Sequence, residues 1–286
     1  MEKYGKLTDQ DFCEFSNKMY EKGVLTLKLT SWDEFKDVTK KFNDETDYIF
    51  RGQRCYCEGW ELKSSFDREF PEFPNNGERE KKRQEIFNKF KQRLEDSSDT
   101  DTKSNSFGYE IIWAIGQHYG LPTPLLDWTE CPYVAAYMAF FEPSTSYCQT
   151  ENRVIYALNR ALKRDKQVKK NSRTKEVLSK KPFVKFPDLD QNHDESQDKR
   201  LEKQKGKFTE ALNGIDIKAN VKTFSKRHKK DIIENHKIIL AEILIPDIER
   251  DRCLKFLESE KGITHGKLFP DYAGAVEICK IELGID

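Results

Sequence analysis

The chain carries the stretch YIFRGQR at residues 48–54, and this stretch decides how we interpret the fold. Its first three residues form an apolar run that is typical of a buried strand, and the run ends on Arg51. Gly52 follows, where a backbone without a side chain can approach a ligand closely or turn sharply. An arginine and a glycine at the mouth of a strand indicate a binding site, although an arginine that pairs with a nearby carboxylate gives the same local pattern.

A second stretch, QHYGLPTPLLDWT at residues 117–129, is dense in hydrogen-bonding and aromatic side chains. We predict a helix over about 107–119 that ends at Gly120, because glycine readily adopts the left-handed conformation that follows many helices. The two prolines of the stretch then favour extended backbone. Pro132 is typical of the first turn of a helix, and the alanines that follow it predict close packing against a sheet or another helix.

The composition is that of a folded domain with a strongly solvated surface. Of 286 residues, 36% are hydrophobic and 35% are charged, and the formal net charge is zero. A net charge of zero argues against attraction of the whole protein to nucleic acid or to a membrane. No apolar run approaches the roughly 20 residues that span a bilayer, and the N-terminus lacks the apolar segment of a signal peptide. We therefore expect a cytoplasmic protein without a membrane partner, whose seven cysteines are reduced thiols.

Several kinds of catalytic site have no signature in this sequence. The five histidines are scattered without the i, i+4 pairing of a helical metal site, and no paired Cys-x-x-Cys motif occurs, so we predict no metal. The Gly-x-Ser-x-Gly elbow of a hydrolase, the Walker loop and the Gly-x-Gly-x-x-Gly turn are also missing from the sequence.

Charge is unevenly distributed along the second half of the chain. Residues 160–185 contain eleven lysines or arginines and only two acids, Asp165 and Glu176. Such a run is usually a solvated loop or helix face, but it also fits a contact surface for a phosphate-rich partner. Apolar runs on either side, at 154–158 and 238–245, predict buried strands, as does the alternating pattern over 24–29.

Three stretches together resemble the FRG domain, a bacterial and phage family named for its Phe-Arg-Gly motif. They are Phe50-Arg51-Gly52, the stretch 117–129 with the alanine helix behind it, and the ending Leu268-Phe269-Pro270-Asp271. In the second stretch, Pro124 stands where the family usually has an arginine, so one basic group that could bind an anion is missing here.

The resemblance covers about residues 30–280. We therefore divide the chain into an N-terminal extension, residues 1–30, and an FRG domain, residues 31–286, with a charged insertion at about 160–237.

The FRG domain is distantly similar to the ADP-ribosyltransferase fold, which implies an α+β domain with a split, strongly bent antiparallel sheet flanked by helices. The similarity implies that Arg51 holds the nicotinamide ribose of NAD and that the backbone of Gly52 binds the carboxamide. It also implies that Thr129 is the hydroxyl residue at the end of a second strand. Gln204 is then the candidate for the acidic or amide residue that opens a later strand.

An acid at this last position would stabilise the positive charge that develops on the ribose during glycosidic cleavage. Gln204 can donate hydrogen bonds to the ribose but carries no negative charge. Glu202 or Asp127 could supply a carboxylate instead, although Glu202 also fits a surface salt bridge with a neighbouring lysine.

Three aromatic or imidazole side chains complete the candidate NAD contacts. His118 and Tyr119 could face the cleft or pack at the end of a helix. Trp128 could stack on a nicotinamide or adenine ring, or it could fill the core.

The resemblance implies an NAD-dependent ADP-ribosyltransferase-like effector, of toxin or phage-defence type, that modifies a protein or nucleic acid. The basic run 160–185 is then a candidate contact with this acceptor. Two alternatives stay open: a non-catalytic module that binds a nucleotide or a partner, and an NAD glycohydrolase without an acceptor. An acid beside Arg51 favours catalysis, whereas Gln204 alone favours binding.

Overall fold

The computed structural model describes residues 7–43, 47–56, 61–71, 76–96, 108–143, 151–160, 162, 184–185, 199–212, 214–270, 276 and 279. Most of the basic run 160–185 lies outside this part, so the acceptor contact predicted there stays a prediction. No helix in the described ranges is both long enough and apolar enough to cross a membrane.

Eight strands form one sheet in the described part of the chain, in the order β1-β2-β8-β5-β3-β4-β7-β6. The β2–β8 pair is parallel and the other neighbours are antiparallel. The strands are β1 (Lys18–Glu21), β2 (Val24–Lys28), β3 (Tyr48–Gln53), β4 (Leu125–Thr129), β5 (Asn152–Asn159), β6 (Val184–Lys185), β7 (Gly206–Ala211) and β8 (Leu240–Pro246).

Ten α-helices surround the sheet in the same described ranges. They are α1 (Trp32–Asn43), α2 (Ser65–Glu69), α3 (Asn76–Asp96), α4 (Tyr109–His118), α5 (Pro132–Phe140), α6 (Lys199–Lys203), α7 (Ile217–Arg227), α8 (Lys229–Ile232), α9 (Arg250–Lys261) and α10 (His265–Leu268). The predicted combination of helices with a central sheet is therefore confirmed. The expectation of a purely antiparallel sheet is wrong, because β2 and β8 run parallel.

The sheet opens between β3 and β4. These two strands pair at one position, where Phe50 lies opposite Thr129, whereas β3 pairs with β5 along its full length. Five strands therefore lie on one side of the opening and three on the other. Both motif stretches end here, since β3 carries Arg51 and β4 carries Asp127.

Each face of the sheet has its own apolar core. Helices α1, α5 and α9 cover the face that carries Phe50, and we call it the α5 face. Helices α7 and α8 cover the other face, which carries Ile49, Trp128 and Tyr156, and we call it the α7 face. A smaller cluster joins α3 and α4 to β4 and β7. Side chains on consecutive strand residues point to opposite faces, so Arg51 belongs to the α7 face.

Helix α5 lies against β3 at an unusually short distance. A Cβ atom built on Gly52 would lie 1.8 Å from the carbonyl oxygen of Ala135 and 2.7 Å from the backbone nitrogen of Ala139. Only glycine fits this position. The predicted close packing of the alanine helix is confirmed, and it explains why glycine follows Arg51 without reference to any ligand.

The end of α4 also agrees with the sequence. Gly120 has a φ of 84°, its N–H donates to the Gln117 carbonyl at 3.0 Å, and the Leu121 N–H donates to the Gly116 carbonyl at 2.8 Å. These two bonds are the Schellman motif, and they satisfy carbonyl groups that the helix leaves open. The predicted helix end at Gly120 is confirmed.

The sheet takes strands from both segments that flank the predicted core of the domain, and the domain boundaries stay a prediction. The predicted N-terminal extension, residues 1–30, contributes β2, which lies inside the sheet between β1 and β8. Part of the predicted insertion 160–237 also belongs to the sheet, since β7 pairs with β4 over five positions. Non-local strand pairing of this kind leaves no local mark in the sequence.

The prediction that the cysteines are reduced thiols is confirmed in part. Cys13, Cys131, Cys253 and Cys279 are free, as expected. Cys55 is disulfide-bonded, so the expectation of reduced thiols is wrong for this residue.

Candidate functional site

The two motif stretches meet where the sheet opens. Nη1 of Arg51 donates a hydrogen bond to the backbone carbonyl of Asp127 at 2.8 Å, and the same atom lies 3.9 Å from the Asp127 carboxylate. The side chain of Arg51 thus bridges the gap that β3 and β4 leave after their single pair. A cation and a carboxylate are fixed side by side at this opening.

A chain of hydrogen bonds holds the carboxylate in place. The Gln117 amide donates to Oδ1 of Asp127, and the Thr123 hydroxyl donates to the amide oxygen of Gln117 at 2.5 Å. The Thr123 backbone N–H in turn donates to the Ser65 hydroxyl of α2 at 3.0 Å. The second motif stretch therefore serves largely to orient Asp127 toward Arg51.

The protein around the pair shifts the pKa of both groups. The Asp127 side chain is 61% exposed, yet desolvation by the surrounding protein raises the pKa of its carboxyl group, against the opposing effect of Arg51. Desolvation also lowers the pKa of Arg51, whose side chain is 23% exposed. In both groups, desolvation disfavours the charged form.

Positive charge predominates around the carboxylate. The guanidinium groups of Arg200 and Arg68 act on Asp127 in addition to that of Arg51, and all three lower its pKa. Nε of Arg51 is buried and has no hydrogen-bond partner among the described residues. The site therefore has donor capacity left for an anionic or oxygen-rich ligand.

Comparison with protein-family models matches residues 46–148 to the FRG domain. The matched range includes Arg51, the hydrogen-bonded chain through Gln117 and Thr123, and Asp127. No curated protein and no solved structure matches the chain in the corresponding comparisons.

Thr129 and Arg51 lie on opposite faces of the sheet. Residues that lie directly opposite in an antiparallel pair share a face, so Thr129 lies with Phe50 on the α5 face, and Arg51 lies on the other. The Thr129 hydroxyl donates to the backbone carbonyl of Gln204 at 2.6 Å and accepts the Cys131 N–H at 3.0 Å. The hydroxyl connects β4 to the turn before β7 and to the start of α5.

The hydrogen bonds of Gln204 connect it to α10 and to β4. Its side-chain amide donates to the backbone carbonyl of Leu268 at 3.0 Å, at the end of α10. Its backbone carbonyl is bound by Thr129 on the α5 face. These bonds do not join Thr129 or Gln204 to Arg51, and the constellation of the three residues stays a prediction. Glu202, the alternative acid in this region, is exposed on α6.

The aromatic candidates separate into core and surface. Trp128 is 3% exposed, and its indole N–H donates to the Thr209 hydroxyl at 2.8 Å, so it fills the core of the α7 face and the stacking interpretation is wrong. His118 and Tyr119 end α4, next to Gln117, and Tyr119 is 78% exposed. Contact of NAD with these two residues, and with the backbone of Gly52, stays a prediction.

Two residues in register with Arg51 on the α7 face were missed from the sequence: Tyr156, which lies beside Arg51, and Glu242, which lies beside Tyr156. Glu242 is buried in the middle of β8, where Lys218 lies 2.7 Å from its carboxylate. A single acid inside the apolar run 238–245 was the available signal, because a charged residue is rarely buried without a partner. Tyr156 gave no signal, since tyrosine is common in strands.

The described residues contain no group of three or more histidine, cysteine or acidic side chains that could hold a metal ion.

Proposed function

We propose that this protein is an NAD-using enzyme of the ADP-ribosyltransferase type, with Asp127 as the carboxylate of its site. One observation carries the proposal: Asp127 lies 3.9 Å from Arg51 where the sheet opens. Sequence reasoning made an acid beside Arg51 the feature that separates an enzyme from a binding module. The division of the sheet between β3 and β4 further supports an ADP-ribosyltransferase-like fold.

The chemistry requires a negative charge held close to the sugar. Cleavage of the bond between nicotinamide and ribose passes through a cationic, oxocarbenium-like transition state. A fixed carboxylate in a partly desolvated site stabilises this charge more strongly than the same group does in bulk water. Asp127 meets both requirements, because Gln117 orients it and the surrounding protein desolvates it.

Arg51 supplies the complementary interaction. Its guanidinium keeps the Asp127 carboxylate ionised and has a buried Nε without an acceptor in the described part of the chain. The planar guanidinium group, with its several N–H donors, suits an oxyanion or a ribose oxygen of the dinucleotide. Tyr119, which is exposed at the end of α4, offers a surface on which a ring of the ligand could stack.

The proposal is tested with NAD labelled in the ADP-ribose part and a cell lysate as the source of acceptors. We expect the wild-type protein to release nicotinamide and to transfer label to a protein or nucleic acid. Asp127→Asn should lower nicotinamide release by about 100-fold or more, the loss typical when one charge-stabilising group is removed. Glu202→Gln is the matched control, since this exposed carboxylate lies on α6 and should be dispensable.

The remaining outcomes distinguish the alternatives. Nicotinamide release without transfer of label identifies an NAD glycohydrolase. Binding of NAD without release of nicotinamide, with Asp127→Asn unchanged, contradicts the enzyme proposal and supports a binding module. If the wild-type protein neither binds nor consumes NAD, the proposed function is wrong.

A further inference from the structure

A row of four polar side chains crosses the α7 face of the sheet. The register places Thr26 of β2 beside Glu242 of β8, Glu242 beside Tyr156 of β5, and Tyr156 beside Arg51 of β3. Neighbouring residues in register share a face, with Cβ atoms about 5 Å apart. The surroundings of this row are apolar, so the four side chains form one polar band that ends at Arg51.

The Glu242 end of the row is satisfied within the protein. Its two carboxylate oxygens lie 2.7 and 2.8 Å from Nζ of Lys218, and one of them accepts the Thr26 hydroxyl at 2.9 Å. The hydroxyl of Tyr56 lies 3.5 Å from the same carboxylate. Because the buried charge is neutralised and hydrogen-bonded, Glu242 needs no ligand.

The Arg51 end of the row is not satisfied. Tyr156 is 4% exposed, yet its hydroxyl has no hydrogen bond to any residue that the structure describes. Nε of Arg51, on the adjacent strand, is buried and equally without an acceptor in those ranges. Buried polar groups in folded proteins nearly always have partners, so the orphaned Nε of Arg51, with an orphaned hydroxyl in register beside it, calls for an explanation.

Both orphaned groups act as donors. Nε of Arg51 can only donate. Burial raises the pKa of the Tyr156 phenol far above its ordinary value, with the nearby carboxylate of Glu242 as the next cause, so the hydroxyl keeps its proton. The unfilled partner must therefore offer acceptor oxygens, and the positive charge of Arg51 favours an anion.

We propose that Tyr156 and Arg51 form a subsite for a phosphate group, with the Tyr156 hydroxyl and Nε of Arg51 donating to its oxygens. A single hydroxyl could not satisfy both donors, whereas a tetrahedral oxyanion presents enough oxygens. This inference deepens the proposed function and rests on it for the source of the phosphate, which is the diphosphate of the dinucleotide.

The test measures binding of inorganic pyrophosphate and of NAD by calorimetry. Tyr156→Phe removes the hydroxyl alone, and should weaken binding of both probes by about tenfold or more, since a hydrogen bond to a charged group is lost. Tyr48→Phe is the matched control: Tyr48 is a buried tyrosine on the opposite face of β3, and its hydroxyl donates to the Ile238 carbonyl at 2.6 Å. This variant should bind both probes as the wild type does.

Thermal unfolding shows whether the variants are folded. Tyr156→Phe should melt no lower than the wild-type protein because it breaks no internal hydrogen bond, whereas Tyr48→Phe should melt lower. The subsite is refuted if a folded Tyr156→Phe protein binds pyrophosphate as tightly as the wild type, or if the wild type does not bind pyrophosphate. Pyrophosphate binding through Tyr156 by a protein that leaves NAD untouched would keep the subsite and reject the proposed function. If Tyr156→Phe changes neither the KM nor the kcat of NAD turnover, the proposed function is kept and the subsite is rejected.

Discussion

Replacing Gly52 with alanine tests whether this glycine exists for helix packing. The added Cβ would lie 1.8 Å from the Ala135 carbonyl oxygen, and an ordinary contact needs at least 3.4 Å. Helix α5 would therefore have to retreat by about 1.6 Å, the difference between these two values. The obstacle is backbone, so no side-chain rotation relieves it.

Helix α5 is poorly able to retreat, because its C-terminal end is bound by two arginines. Arg153 donates to the Ala139 carbonyl at 2.6 Å, and Arg250 donates to the Phe140 and Phe141 carbonyls at 2.9 and 2.7 Å. Overpacking a core usually costs about 1 to 3 kcal/mol, and a backbone clash held in this way belongs at the upper end. We expect Gly52→Ala to lower the free energy of unfolding by about 3 kcal/mol.

The measurement is urea unfolding followed by circular dichroism. Gly266→Ala is the control, because a Cβ at Gly266 in α10 meets no atom within 4 Å and should leave stability nearly unchanged. A Gly52→Ala protein as stable as the wild type would refute the packing argument. Loss of NAD binding at unchanged stability would instead restore the backbone of Gly52 as a ligand contact.

Three further predictions concern Trp128, Gln204 and Asp127. Trp128→Phe breaks the bond to the buried Thr209 hydroxyl and should lower the free energy of unfolding by about 1 to 3 kcal/mol, while NAD binding measured by calorimetry stays unchanged. Gln204→Ala loses a bond to the Leu268 carbonyl only, so nicotinamide release should stay within about twofold of wild type, and its abolition would reinstate Gln204 as a catalytic residue. Asp127 acts as a carboxylate and desolvation raises its pKa, so turnover should fall as the pH drops through a value above the ordinary 3.8. A pH profile that stays flat down to 3.8 would contradict this assignment.

Helix ends and buried strands could be predicted from the sequence because residues close together in the chain determine them. Gly120 ends α4 through its left-handed conformation, and the apolar run 238–245 becomes a buried strand. The alanines of α5 indicated close packing, although the partner of that packing, Gly52, could be identified only with the helix in place.

Pairing between strands that are distant in the sequence determines which side chains lie near Arg51. Thr129 lies opposite Phe50, and this single pair puts Thr129 on the face away from Arg51. A shift of one residue in register would have reversed the result, since neighbouring side chains point to opposite faces. Asp127 was considered from the sequence, but its approach to Arg51 depends on the opening between two strands that are 76 residues apart in the chain.

Nicotinamide release by the wild-type protein and by Asp127→Asn, measured side by side at saturating NAD, tests the central claim most directly. Asparagine keeps the shape of the side chain and its oxygen, so Arg51 should stay in place and NAD should still bind. The predicted result is a fall in kcat of about 100-fold or more with NAD binding retained. Equal kcat for the two proteins would contradict the claim that the carboxylate beside Arg51 carries the reaction.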